Sequence, residues 1–206
     1  MNDCVIFCGG DFDRLHKPLA PDSFVIAADK GLEYVRTLGL RADLILGDFD
    51  SLGFVPEGAE VFPVEKDDTD AMLAVRKGLA AGCRNFTLYG ALDGSRVDHT
   101  VANFQLLAFL ADRGARGSLL GLTQCATVIK NGKIVFPGEY RGIFSVFCLG
   151  ADAEGVSIRG GQYEVEQVRL SSGFPLGVSN HFIGKDVEIS VENGRLLIIW
   201  DRQEMV

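Results

Sequence analysis

No stretch of this chain approaches the roughly 20 consecutive apolar residues that a membrane-spanning helix needs, so no membrane partner is expected. Lysine and arginine are few, 20 against 28 aspartates and glutamates, for a formal net charge of −8. Nowhere do the basic residues gather into a stripe, which argues against a phosphate-backbone partner such as nucleic acid. The five cysteines (Cys4, Cys8, Cys83, Cys125 and Cys148) are odd in number and form no C-x-x-C pair. Neither a zinc knuckle nor a disulfide framework is therefore indicated. Cys4 and Cys8 fall on one face of an expected strand, as small buried hydrophobes in a reducing compartment would. The opening residues MNDCVIFCGGDFD carry acids and glycines in place of a basic and then apolar leader, and the expectation is a cytoplasmic protein. Several familiar signatures are missing as well: no Walker A loop, no G-x-G-x-x-G and no G-x-S-x-G. If a nucleotide binds, it must be held by other groups.

What is present describes an ordinary folded chain. Hydrophobic residues make up 47% and charged residues 23% of 206 positions, a globular balance at a length that buries roughly 70% of the unfolded surface. The first part alternates short apolar runs with helical patterns. The runs are Cys4–Cys8, Phe24–Ala28, Leu44–Leu46, Glu60–Val64, Phe86–Tyr89 and Ser118–Leu122, and continuous runs of this length read as parallel strands buried on both faces. Between them, Met72, Val75 and Leu79 share one face of a helix capped by Thr69. Val97, Val101, Phe104 and Ala108 share a face of a second helix, for which Ser95 is the expected cap. Strand–helix alternation predicts an α/β doubly wound parallel sheet over residues 1–122, with ligands beyond the carboxyl ends of its strands.

The pattern changes near Gly121. Residues 123–206 read as an all-β domain, a small sandwich, with turns expected at Asn131–Lys133, from Pro137 and at Glu192–Arg195. Val187, Ile189 and Val191 alternate with polar neighbours as a half-buried strand does. Asn193-Gly194 predicts a hairpin turn. No internal repeat and no low-complexity linker interrupts the chain.

The chemistry-bearing residues cluster at the strand ends of the first domain. Asp48 and Asp50 follow the Leu44–Leu46 run, and two carboxylates this close repel unless a cation lies between them. An oxygen-only site with few ligands suits magnesium bound together with phosphates. An acidic turn capping a strand explains the same residues equally well. Lys66-Asp67-Asp68-Thr69-Asp70 stands at the next strand-to-helix junction. The dipole there stabilises capping acids, and the same free N–H groups bind phosphate. Gly90–His99, reading GALDGSRVDH, follows the next strand, with glycines that admit close approach and an Arg96 fork suited to phosphate oxygens. His99, alone in a first helical turn, reads as a structural hydrogen-bonder. Asp29-Lys30-Gly31 adds a fourth cluster and Gly9-Gly10 a fifth.

In this order and spacing, ADKG, GDFDS, KDDTD and a glycine-rich loop ending in RVDH resemble the thiamine pyrophosphokinase family, as do GQYEVE from Gly161 and SSGFPLGVSN ending at Asn180. The resemblance implies a Rossmann-like N-terminal domain, a β-sandwich C-terminal domain and a homodimer. It implies transfer of a pyrophosphoryl group from ATP to the hydroxyethyl oxygen of thiamine, with AMP as the leaving product. It assigns Asp48, Asp50 and Asp70 to magnesium, and counts Asp98 with them among the catalytic residues. Asp29, Lys66, Asp67, Thr69, Arg96 and His99 would lie on the ATP side, and Ser179 and Asn180 on the thiamine side. The chain departs from the family pattern in a glycine-rich loop one residue longer than GGR-x-DH, and in His181 where an acid is usual. Tyr163 reads as a core residue of the sandwich, with an aromatic face for the substrate as the alternative. Two other functional readings compete: a D-x-D glycosyltransferase, and a regulatory protein that binds thiamine or nucleotide without turnover.

Overall fold

The computed structural model describes residues 2–203 apart from Ser51, Val64 and Lys66. It divides into two compact units, one built from residues up to Leu106 with Gly117–Leu122, the other from Leu107–Arg116 with the residues from Thr123 onward. No helix among the described residues is long and apolar enough to cross a membrane.

In the first unit, β1 (Asp3–Phe7), β2 (Phe24–Ala28), β3 (Leu44–Gly47), β4 (Glu60–Val61), β5 (Asn85–Tyr89) and β6 (Arg116–Leu120) lie in the order β6-β5-β1-β2-β3-β4. The pairings β1–β2, β1–β5, β2–β3 and β3–β4 are parallel. Cys4–Phe7 and Val25–Ala28 are buried without interruption, as strands covered on both faces require. β4 stops short of the expected Glu60–Val64 run. Phe62 still donates to the Gly47 carbonyl at 2.9 Å, but Pro63 has no N–H with which to continue a ladder. From β1 the chain steps one way across the sheet through β2, β3 and β4, then returns to place β5 on the other side of β1. The topological switch point, where such sheets open a crevice, thus falls between the ends of β1 and β5.

The helices are α1 (Gly31–Thr37), α2 (Asp70–Ala80) and α3 (Val97–Ala111). The expected pattern contained no α1. It forms where Gly31 lets the helix start lie against β1: a Cβ at Gly31 would stand 2.0 Å from the Phe7 carbonyl oxygen. Leu32 and Val35 then pack with Phe7, Val25 and Tyr89. α2 opens on Thr69 as expected, its hydroxyl accepting from the Met72 amide at 3.2 Å; Val75 is buried, while Met72 and Leu79 are half-buried. α3 departs from expectation twice. It begins at Val97, and the Arg96 carbonyl, accepting from the His99 and Thr100 amides, takes the capping position in place of Ser95. The face through Val97 and Val101 is exposed, at 73% and 51%; Asn103, Leu106, Leu107 and Leu110 form the buried one. Of the expected face, Phe104 is half-buried and Ala108 buried, so spacing found the second half of the buried stripe and misplaced its start.

The second unit is β-rich. β7 (Gln124–Phe136), β8 (Ile143–Cys148), β9 (Ala153–Arg159), β10 (Val165–Leu170), β11 (Asn180–His181) and β12 (Val187–Asp201) make it up. β12 pairs antiparallel with β7 along its length; its first half also pairs with β9 and its second with β8. Neither asparagine–glycine pair ends a strand, contrary to expectation. β7 runs through Asn131–Lys133 and β12 through Asn193-Gly194. Val191 pairs with Gly132 and Arg195 with Lys130, so Glu192–Gly194 stand opposite Asn131. The Asn131 carboxamide oxygen accepts from the Gly194 amide at 2.9 Å. The two sequences form a paired bulge at which β12 changes its second partner from β9 to β8, the device by which strands turn corners between layers. The expected turn after Pro137 is present, with the Tyr140 amide donating to the Pro137 carbonyl. Val187, Ile189 and Val191 are buried as their alternation predicts, beside an aromatic cluster of Phe136, Phe144, Phe182 and Trp200.

Candidate active site

A cleft of about 410 Å³ opens in the first unit at the switch point. One wall is the end of β1, Cys8 to Asp11, and the opposite wall the loop from Gly90 to Arg96. The two are interlocked through backbone. The Gly10 amide donates to the Gly90 carbonyl at 2.9 Å and the Asp11 amide to the Asp93 carbonyl at 3.3 Å. A Cβ at Gly10 would lie 2.4 Å from the Asp93 oxygen, and one at Gly90, where φ is +63°, 2.5 Å from the Cys8 oxygen. Only glycines allow this approach. Further bonds fasten the loop: Thr100 to the Leu92 carbonyl, Asn103 to the Ala91 carbonyl, and the Leu122 amide to the Asp93 carboxylate. The Tyr34 hydroxyl donates to the Gly10 carbonyl at 2.8 Å.

Asp29, Asp48 and Asp50 come together beside this cleft, their carboxylate oxygens within 4.8 Å of one another. The backbone that gathers them is not extended. Phe49 sits at φ +59° with its ring buried and Asp29 at φ +49°, a left-handed conformation that bulky residues rarely adopt. The Asp50 amide turns back to the Asp48 carboxylate at 3.3 Å. The anchored Phe49 ring thus directs its two neighbours toward Asp29. A donor set of carboxylate oxygens alone fits a hard divalent cation.

Of the expected residues, Asp29, Thr69, Asp70, Arg96 and His99 line the cleft, with Lys30, Asp11 and Asp93 beside them. Asp70, which the resemblance grouped with Asp48 and Asp50, stands in the first turn of α2 and outside the three-carboxylate group. Asp67 is exposed and outside the cleft lining, and Lys66 lies outside the described residues. Asp98 is also outside the cleft lining: Arg96 donates to it twice, at 2.6 and 3.3 Å. Those hydrogen bonds, before any other cause, hold the Asp98 carboxyl below its ordinary range. Cys8 lines the cleft but is no nucleophile. Burial, then the charge of Asp70, pushes its thiol up to about 12, where thiolate is scarce. Asn103, which the sequence reading passed over as one more residue inside a helical pattern, lines the cleft and is 7% exposed.

The second unit places Ser179 at φ +61°, exposed, its amide bonded to the Ser145 hydroxyl. Asn180 is 5% exposed. Its carboxamide grips Tyr163 through both backbone groups, accepting from the amide at 3.0 Å and donating to the carbonyl at 2.6 Å. Tyr163 itself is 59% exposed, which corrects the reading of it as a core residue: the clamp holds its backbone while the ring faces outward.

Glycine loops at a switch point, a cationic fork and a carboxylate trio define an enzyme of the phosphate-transferring class, one that handles a nucleotide without a Walker-type loop. The model of "Thiamin pyrophosphokinase, catalytic domain" matches residues 15–116, and that of "Thiamin pyrophosphokinase, vitamin B1 binding domain" matches residues 133–196. The chain belongs to the thiamin pyrophosphokinase family, and with both domains it binds ATP and thiamine and transfers pyrophosphate from the first to the second. Its fold is shared by the thiamine pyrophosphokinase of Bacillus subtilis (TM-score 0.84, 21% identity, 98% of this chain and 100% of that one). That of Geobacillus thermodenitrificans is similar over 98% of each chain (TM-score 0.81, 25% identity). The yeast enzyme matches at TM-score 0.71 and 15% identity, over 97% of this chain and 86% of that one. Comparison of the sequence with curated proteins found no match.

Proposed function

We propose that the cleft at the β1–β5 switch point holds ATP with magnesium at Asp29, Asp48 and Asp50, and that the thiamine hydroxyethyl oxygen attacks the β-phosphorus there. The observation that carries this reading is the carboxylate trio, whose member Asp29 also lines the cleft. A divalent cation at such a site supplies charge neutralisation to phosphate oxygens. The chain's own groups do the rest. Lys30, Arg96 and His99 face phosphate oxygens from the cleft walls, with Arg96 exchanging its Asp98 partner for them. Thr69 and Asp70 present the amino end of α2, whose free N–H groups favour an anion. Lys66 and Asp67 precede that helix and are assigned to the same side. Phosphoryl chemistry of this kind proceeds by positioning and charge, through a loose transition state that needs no strong base.

On the thiamine side, Ser179 and the outward ring of Tyr163 meet the substrate, and Asn180 serves by holding Tyr163 in place. An aromatic face suits the cationic thiazolium ring. Phe174, Leu176, Val178 and Ile183 are exposed on the same unit; a run of exposed apolar side chains supports a homodimer, which light scattering on the purified protein tests. Product analysis tests the reaction itself: with thiamine, ATP and magnesium, AMP and thiamine diphosphate appear together. ADP with thiamine monophosphate would refute the site of attack, and binding without turnover would refute catalysis.

A further inference from the structure

Asn103 carries a hydrogen-bonding group that nothing in the assigned site uses. It lies on α3, is 7% exposed and lines the cleft. Its Nδ2 donates to the Ala91 carbonyl at 2.6 Å. A carbonyl can face only the amino side of a carboxamide, so this bond fixes the orientation of the group and leaves Oδ1 as the acceptor. Among the described residues no side chain or backbone group donates to that oxygen. Oδ1 is therefore an oriented, unused acceptor on the cleft wall, where a donor on a ligand can reach it.

The chemistry of the acceptor restricts what it meets. Phosphate oxygens at neutral pH are themselves acceptors and gain nothing from Oδ1. The matching group is an N–H or O–H donor. Ala91, whose carbonyl Asn103 holds, and Ala102, its neighbour on α3, line the same cleft, small apolar surfaces that suit the flat, uncharged part of a nucleotide. We propose that Asn103 Oδ1 accepts a hydrogen bond from a donor on the nucleoside half of ATP, either the 6-amino group of the base or a ribose hydroxyl, and so selects the nucleotide. This rests on the reading that ATP occupies the cleft. The Nδ2 bond to Ala91 makes the same residue a brace for the loop, and the two roles separate by experiment.

The test removes the partner from each side. Wild-type enzyme is assayed with ATP, the triphosphate of purine riboside (no 6-amino group), 2′-deoxy-ATP and 3′-deoxy-ATP, and Asn103→Leu is assayed with the same four. Losing a hydrogen bond to an oriented acceptor inside the site lowers kcat/KM roughly 5- to 100-fold. The expected result is such a loss for one analogue with wild type, a comparable loss on ATP in Asn103→Leu, and no further loss when that variant meets that analogue. The analogue identifies the donor. Equal use of all four nucleotides by wild type overturns the proposal without any variant having to fold. So does a variant that discriminates among them as wild type does, which would leave Asn103 as a loop brace only. Failure of thiamine-dependent AMP formation by wild type with ATP would instead overturn the cleft reading.

Discussion

Neutralising one member of the carboxylate trio should move stability and activity in opposite directions. Asp50→Asn removes a charge and little else: the side chain keeps its shape, and the amide that bonds to Asp48 belongs to the backbone. At the 4.8 Å that bounds the group, two unit charges interact by about 0.9 kcal/mol in water and about 3.5 kcal/mol at an effective dielectric of 20. Asp50 is exposed and its neighbours half-buried, so the lower end applies. Repulsion from both neighbours, after screening, amounts to about 1–2 kcal/mol. With divalent ions chelated, the variant should therefore melt about 2–8 °C above wild type, since a domain of this size shifts roughly 2–4 °C per kcal/mol. Adding magnesium should raise the melting temperature of wild type more than that of the variant, by mass action on the folded state. Turnover, measured as thiamine-dependent AMP, should fall by orders of magnitude. Calorimetry in chelator and in magnesium reads the first two effects. A chelated variant no more stable than wild type, with an equal magnesium shift in both, would refute the cation site.

Other perturbations have distinct expected outcomes. Gly31→Ala should destabilise by about 2 kcal/mol or more through overpacking, because the new methyl meets the Phe7 carbonyl at 2.0 Å; an unchanged urea midpoint would contradict the close packing of α1 on β1. Asn180→Ala releases both backbone groups of Tyr163, and steady-state kinetics should show KM for thiamine raised about tenfold or more with KM for ATP unchanged. The Ser172 amide, then the Arg169 side chain, hold the Asp152 carboxyl at about 2. Because that folded value is depressed, the contribution of Asp152 is complete above the unfolded range near pH 4 and is lost as pH falls toward 2. Proteolysis across that window should cut the segment after Leu170 progressively faster in wild type, whereas Asp152→Asn should be cut fast and independently of pH.

The strands of the first unit were legible in place, though not in order, because fully buried strands leave continuous apolar runs, and these end within one residue of the ends of β1, β2, β3 and β5. Capping at Thr69 was legible for the same local reason. What failed was whatever depended on the partner surface. Spacing cannot place the start of the buried stripe on α3 when only packing decides which residues meet the sheet. Asn193-Gly194 has the residues of a hairpin turn, and only the facing Asn131 reveals a bulge in a continuous strand. The D-x-D pair was foreseen; its convergence with Asp29 comes from left-handed Phe49, which no pattern announces. Tyr163 and Asn180 were both singled out, yet that one clamps the other follows from a pairing of residues 17 apart.

The central strand of the second unit is also its last. β12 is hydrogen-bonded to β7, β8 and β9, so none of those three has its full complement of partners until Val187–Asp201 exists. Every strand and loop of the first unit lies before Thr123. On the ribosome the nucleotide cleft can therefore assemble early, as N-terminal domains do. The β-rich unit must wait, its apolar strand faces uncovered, for Val187–Asp201. The interval between the two is when this protein most needs a chaperone, and slowing translation before Val187 would lengthen it.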